Sequence, residues 1–329
     1  MDEYDEFPDY ELPSYVGSAS FHKLPWCPDD ASLAKERPDV AIVGAPFDEG
    51  TSARPGARFG PRAIRAASYL SGEVWSIPLE VDVFRALRCV DAGDAPVVPA
   101  RPERAHRVIR EKILRVARTG AIPIVLGGDH SITLPSASAV SEVARPRKVG
   151  IVHFDAHADT APDLWGALLS HGTPMRRLID EGWIDGRNFV QVGLRGYWPG
   201  RDTFRWMREK GLRWHTIAEM EERGVRAVVE EAIREALDGP EAIYLSVDID
   251  VLDPSAAPGT GTPEPGGLSA RELLGAIRQV VGRVDLVGMD VVEVCPAYDH
   301  AEITARVANR CILEALSALA AKRSRLADA

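Results

Sequence analysis

The chain has 329 residues, 45% hydrophobic and 27% charged, with 28 Gly and 24 Pro, a balance that excludes a fibrous or disordered protein. Its formal charge of -10 excludes a phosphate-backbone ligand, which needs clustered Lys and Arg, so no nucleic-acid partner is expected. Cys27, Cys89, Cys295 and Cys311 lack paired spacing and read as buried thiols, and no apolar run reaches membrane length. A cytoplasmic protein without a membrane partner is the expectation.

Residues 1–36 are rich in acidic, aromatic and Pro residues without sustained periodicity, and read as an N-terminal arm laid over the domain or a partner subunit. From residue 37 to 329, short apolar runs bounded by Gly, Pro or Asp alternate with longer amphipathic stretches. That alternation predicts βα units around a mainly parallel, doubly covered sheet in one domain. The predicted strands are Val40–Ala45, Leu87–Ala92, Ile122–Leu126, Val149–Phe154, Phe189–Val192, Ile243–Val247 and Leu286–Val292. Helices are predicted at Arg62–Ala67, Glu103–Arg118, Pro135–Ala144, Met175–Glu181, Val225–Leu237, Ala270–Val281 and His300–Ala320.

Ligands of open parallel sheets sit at the carboxyl ends of the strands, so the polar residues closing each apolar run carry the functional information. Ile122–Leu126 leads into Gly127-Gly128-Asp129-His130-Ser131, where two glycines permit a tight turn that brings His130 to the top of the sheet. Alone, such a histidine is equally a cap or packing residue. Val149–Phe154 runs into Asp155-Ala156-His157-Ala158-Asp159. Extended chain repeats every two residues, so Asp155, His157 and Asp159 converge on one side, a costly arrangement beside a buried strand unless a cation sits there. Ser246-Val247-Asp248-Ile249-Asp250-Val251-Leu252-Asp253-Pro254 closes a third run and sets two carboxylates on one face; Asp253 reads as a turn former. Together these offer two imidazoles and four carboxylates, enough for two divalent ions, and an oxygen-rich set favours Mn²⁺ over Zn²⁺ or Cu²⁺. Metal-assisted hydrolysis follows, with the substrate unnamed.

These three segments, in this order, resemble the signatures of the arginase/agmatinase (ureohydrolase) family. The likeness extends through Gly44–Asp48, Gly56–Arg65, Gly259–Pro263 and Asp290–Val294. The resemblance implies a three-layer α/β/α fold with a central parallel sheet of about eight strands. It implies two Mn²⁺ per subunit, with Ni²⁺ or Co²⁺ as alternatives, held by His130, Asp155, His157, Asp159, Asp248 and Asp250, and a homotrimer or homohexamer. It further implies a small cationic guanidinium substrate, with Glu293 holding the cation, Asp159 taking the nucleophile's proton and His171 protonating the departing amine. Read without the family, His171 is a helix-cap neighbour and Glu293 a strand-end acid.

The arginase loop rich in Ser and Asn is replaced here by Ala161–Gly172, which resembles agmatinases, guanidinobutyrases and guanidinopropionases. Trp165 in that loop either shortens the pocket, stacks on the substrate tail or anchors the loop. Arg195 either meets a substrate carboxylate or pairs with an acidic neighbour. The expected activity is hydrolysis of agmatine or a guanidino acid such as 4-guanidinobutyrate to urea and an amine. The rivals are another guanidine, an amide hydrolase of deacetylase type, an inactive partner subunit and a phosphatase with Arg176 and Arg177 as its only clamp.

Overall fold

The computed structural model describes residues 13–70 and 73–327. Eight strands form one sheet: β1 (Val40–Ala45), β2 (Cys89–Asp94), β3 (Ile122–Gly127), β4 (Val149–Phe154), β5 (Phe189–Leu194), β6 (Arg213–Thr216), β7 (Ala242–Asp248) and β8 (Leu286–Val292). Their order is β2-β1-β3-β8-β7-β4-β5-β6, every pair parallel.

The interior strands are buried along nearly their whole length, as expected when helices cover both faces. Alternate residues face opposite layers. Val40, Ile42, Ile124, Val152, Leu245 and Val291 join one core, and Ala41, Val43, Val125, Ile151, Tyr244 and Val292 join the other. The helices are α1 (Asp30–Glu36), α2 (Gly60–Ala66), α3 (Val83–Ala86), α4 (Pro102–Arg118), α5 (Thr133–Ala144), α6 (Pro174–Asp180), α7 (Arg201–Glu209), α8 (Ile217–Arg223), α9 (Val225–Ala236), α10 (Ala270–Arg283) and α11 (Ile303–Ala327). Helices α2, α9, α10 and α11 pack on the first face and α4, α5, α6 and α7 on the second. This is the expected three-layer α/β/α architecture.

The seven predicted strands and seven predicted helices all form, with ends shifted by a few residues. Five of these labelled elements were not predicted: α1, α3, β6, α7 and α8. Strand β6 is a partly exposed edge strand, Arg-Trp-His-Thr, with no apolar run, and Met207 is the one fully buried residue of α7. Little apolar surface is buried in either, so little periodicity is written into them.

The first twelve residues of the expected arm lie outside the described residues. The remainder is more ordered than its composition predicts: Asp29 and Ser32 form a reciprocal capping box at the start of α1. The chain before it follows edge strand β2, with Cys27 N–H donating to Asp91 O (2.8 Å) and Phe21 N–H to Asp91 Oδ2 (2.9 Å). All four cysteines are free and buried. Among the described residues no helix is long and apolar enough to cross a membrane.

Candidate metal and active site

Chain order and sheet order part company between β3 and β4, because β8 and β7 are inserted between them. Such a reversal opens a crevice above the strand ends. In register, Phe154 lies beside Val247 and Asp248 beside Val292, so the chain emerging from β3, β8, β7 and β4 does so at one level. The three motifs and Glu293 sit there.

After β3, Gly128 is pressed so close to the β1 exit that a Cβ would lie 1.8 Å from Phe47 O; only glycine fits. The turn buries His130 completely. Its Nδ1 is 3.0 Å from an oxygen of each of Asp155, Asp159 and Asp248, yet forms no hydrogen bond. Its Nε2 is engaged by Ser246 Oγ at 2.9 Å. An imidazole nitrogen facing three carboxylate oxygens without a hydrogen bond could hold a cation with them.

A second group adjoins it: His157 Nδ1 lies 3.1 Å from Asp250 Oδ2 and 3.6 Å from Asp155 Oδ1. Asp155 thus belongs to both groups. All six expected ligands are brought together, and the cluster is electrostatically unstable alone. Burial, then the charges of Asp250 and Asp155, push the Asp248 carboxyl well above its usual range. Two divalent ions fit this donor set.

His153 was not anticipated. Its Nε2 is 2.9 Å from Asp155 Oδ2, and Gln191 Nε2, anchored on Ala158 O at 2.5 Å, lies 3.3 Å from its Nδ1. Gln191 fills the Nδ1 side, leaving Nε2–H to orient Asp155. The period-two series His153, Asp155, His157 was the available signal.

Glu293 follows β8 and is 1% exposed. Its Oε1 accepts from His130 N–H (2.8 Å) and lies 3.0 Å from His171 Nδ1, while its Oε2 is buried without a partner. A free buried carboxylate oxygen is a binding group awaiting a donor. His171 Nε2 accepts from Ser52 N–H (3.1 Å) and lies 2.7 Å from Ser52 Oγ; no local motif marked Ser52. Burial opposes charge on His171, but the Glu293 carboxylate outweighs it and raises the imidazole to about 9. Backbone strain marks the same positions: φ is +51° at Asp159, +63° at Glu293 and +52° at Trp165, a conformation that costs about 1–3 kcal/mol per non-glycine residue.

A cavity of about 330 Å³ opens onto this centre, lined by Asp159, His171, Asp248, Leu164, Trp165 and Trp198 among others. Trp165 is 86% exposed at the mouth, so it is no buried loop anchor. Trp198, unforeseen as a site residue, packs within 3.1 Å of where a Gly172 Cβ would stand. The structure does not bring Arg195 to this cavity. Nε, Nη1 and Nη2 donate to main-chain carbonyls of Gly193, Asp250, Val251, Leu252, Glu264 and Pro265. Its donors are spent on main-chain carbonyls outside the cavity and no acidic side chain is its hydrogen-bond partner, which corrects both expectations: its planar donor fork ties the chain leaving β5 to the β7–α10 connection.

A doubly covered parallel sheet with a carboxylate-and-imidazole cluster at its reversal point defines a metal-dependent hydrolase class. Residues 38–318 match the arginase family. Proclavaminate amidinohydrolase of Streptomyces clavuligerus is 42% identical over 304 residues, 92% of this chain and 94% of that one. Its solved structure superposes with a TM-score of 0.85, covering 94% and 99% of the two chains at 40% identity. Guanidinopropionase of Pseudomonas aeruginosa is 41% identical over 320 residues, 96% of each. A formiminoglutamase variant of Trypanosoma cruzi, solved with Mn²⁺, aligns at TM-score 0.79 and 29% identity over 87% of this chain and 94% of that one. The chain belongs to the arginase family.

Proposed function

We propose that the chain hydrolyses a guanidinium compound to urea and an amine, with agmatine or a guanidino acid such as 4-guanidinobutyrate as substrate. The observation that carries this is the pairing of two unpartnered buried atoms in one site, His130 Nδ1 and Glu293 Oε2. One requires a cation held by the protein, and the other suits a cation brought by the substrate.

His130, Asp155, Asp159 and Asp248 would hold one ion, and His157, Asp250 and Asp155 the other, Mn²⁺ being favoured over Ni²⁺ or Co²⁺ by the oxygen-rich set. Such a pair lowers the proton affinity of water enough to supply a nucleophile at neutral pH. Glu293 Oε2 accepts the guanidinium N–H and orients its carbon toward the cluster. Asp159 takes the proton that the attack releases. His171, whose proton affinity Glu293 raises, donates to the departing nitrogen as its bond to carbon breaks. The tail leaves past Leu164, Trp165 and Trp198.

Residues 37–329 are read as one catalytic domain and 1–36 as an arm, in a cytoplasmic homotrimer or homohexamer. The test is urea release by Mn²⁺-loaded protein from agmatine, 4-guanidinobutyrate, 3-guanidinopropionate, arginine and guanidine. At least one should yield urea with activity lost in His171→Ala; no urea from any would overturn the reading.

A further inference from the structure

Asp290 lies on β8 between β3 and β7, in register with Val125 and Ser246, and is fully buried. It lines no part of the cavity and has no place in the proposed reaction. A carboxylate at the heart of a parallel sheet is costly to bury, and this one is satisfied by three hydroxyls. Ser246 Oγ donates to Oδ1 (2.7 Å), and Tyr244 OH (2.7 Å) and Thr133 Oγ1 (2.8 Å) donate to Oδ2.

Proton accounting gives this arrangement a consequence at the site. A serine hydroxyl has one proton, and Ser246 gives it to Asp290. Toward His130 Nε2, 2.9 Å away, Ser246 Oγ is therefore an acceptor, and Nε2 must carry the hydrogen. In the neutral ring the lone pair then falls on Nδ1, the atom facing the oxygens of Asp155, Asp159 and Asp248. Without the Asp290 acceptor, the hydroxyl is free to turn and donate to Nε2. The ring proton would then move to Nδ1, where it hydrogen-bonds the carboxylates and occupies the cation's place.

We propose that Asp290, acting through Ser246, is a positioning residue that fixes His130 in its metal-ligating tautomer. Thr133 opens α5 directly after the His130 turn, so the same carboxylate also holds that turn in place through the Thr133 hydroxyl. His157 has no counterpart: its Nδ1 faces Asp250 and Asp155, and the relay serves only the ion on the His130 side. The inference rests on the metal reading of the preceding subsection.

The test is titration of metal-free protein with Mn²⁺, free Mn²⁺ being read from its electron paramagnetic resonance signal. Wild type should take up two ions. Ser246→Ala and Asp290→Leu, which removes the acceptor, should each weaken one ion by about 10–100-fold and leave the other unchanged. Ser246→Thr, which keeps the hydroxyl, should restore binding. Tyr244→Phe removes a donor to Asp290 without touching the Ser246 bond and should bind both ions as wild type does. If Asp290→Leu fails to fold, the Ser246→Ala and Ser246→Thr pair decides. Wild-type binding by Ser246→Ala would overturn the relay, as would weakening of both ions equally or an effect of Tyr244→Phe as large as that of Ser246→Ala. No uptake by wild type would instead overturn the metal reading, and the relay with it.

Discussion

Replacing Glu293 by Gln separates charge from shape at the centre of the site. The glutamine retains a carbonyl oxygen for His130 N–H, as Glu293 Oε1 does at 2.8 Å, and sets an amide N–H where the unpartnered Oε2 now stands. A donor would then face the guanidinium donors of the substrate. A hydrogen bond involving a charged group contributes about 1.5–3 kcal/mol, so kcat/KM should fall about 10- to 150-fold at one decade per 1.4 kcal/mol. A second effect follows at His171. Burial lowers its proton affinity and the Glu293 carboxylate raises it, the net result being about 9. Without that charge its proton affinity falls, so less of the imidazole is protonated at alkaline pH. Bound dications oppose the charge on His171 in both proteins, so the difference between the profiles is the quantity to read. The assay is initial-rate urea release by Mn²⁺-loaded wild type and Glu293→Gln across neutral to alkaline pH. The variant's alkaline limb should move to lower pH. A kcat/KM within about threefold of wild type with an unmoved alkaline limb would refute both roles.

In metal-free protein the folded value of His171, about 9, exceeds its unfolded value of about 6.5. Its contribution is therefore full below about 6.5 and lost as pH rises through about 9. Wild type should exceed His171→Asn in stability by about 3 kcal/mol more at pH 6 than at pH 9.5, measured by urea denaturation; a gap that ignores pH would refute this. Arg195→Ala leaves several partly buried carbonyls without donors and should cost about 3 kcal/mol or more, while preserving the ranking of agmatine against 4-guanidinobutyrate. A selective loss of the guanidino acid would return Arg195 to the substrate. Gly128→Ala places a Cβ 1.8 Å from Phe47 O and 2.8 Å from Ala45 O. It should destabilise by about 3 kcal/mol or more, with Mn²⁺ uptake lost because the turn carries His130; wild-type stability would refute the close packing.

What the sequence made legible was whatever follows from local periodicity. A buried strand writes itself as a β-branched run, and the chain leaving it sends alternate residues to one side, so Asp155, His157, Asp159, Asp248 and Asp250 were readable as candidate ligands before any fold was known. His130 was readable only in company with the two acidic motifs, since a Gly-Gly turn followed by histidine has several ordinary uses. The contacts that turn the ligand cluster into a reaction site join residues far apart in the chain. His171 meets Glu293 across 122 positions and Ser52 across 119, and no spacing rule reaches that far. Arg195 shows the converse hazard. An arginine at a strand end reads as a recognition group because its neighbours in the sequence are visible, whereas the carbonyls of Asp250, Leu252 and Glu264 that absorb its donors come from another βα connection. Arg195 and the two open atoms of the site mark opposite cases. The Arg195 donors are already satisfied and hold the scaffold, whereas His130 Nδ1 and Glu293 Oε2 are buried, open and set beside a carboxylate cluster, the combination that suits a bound cation.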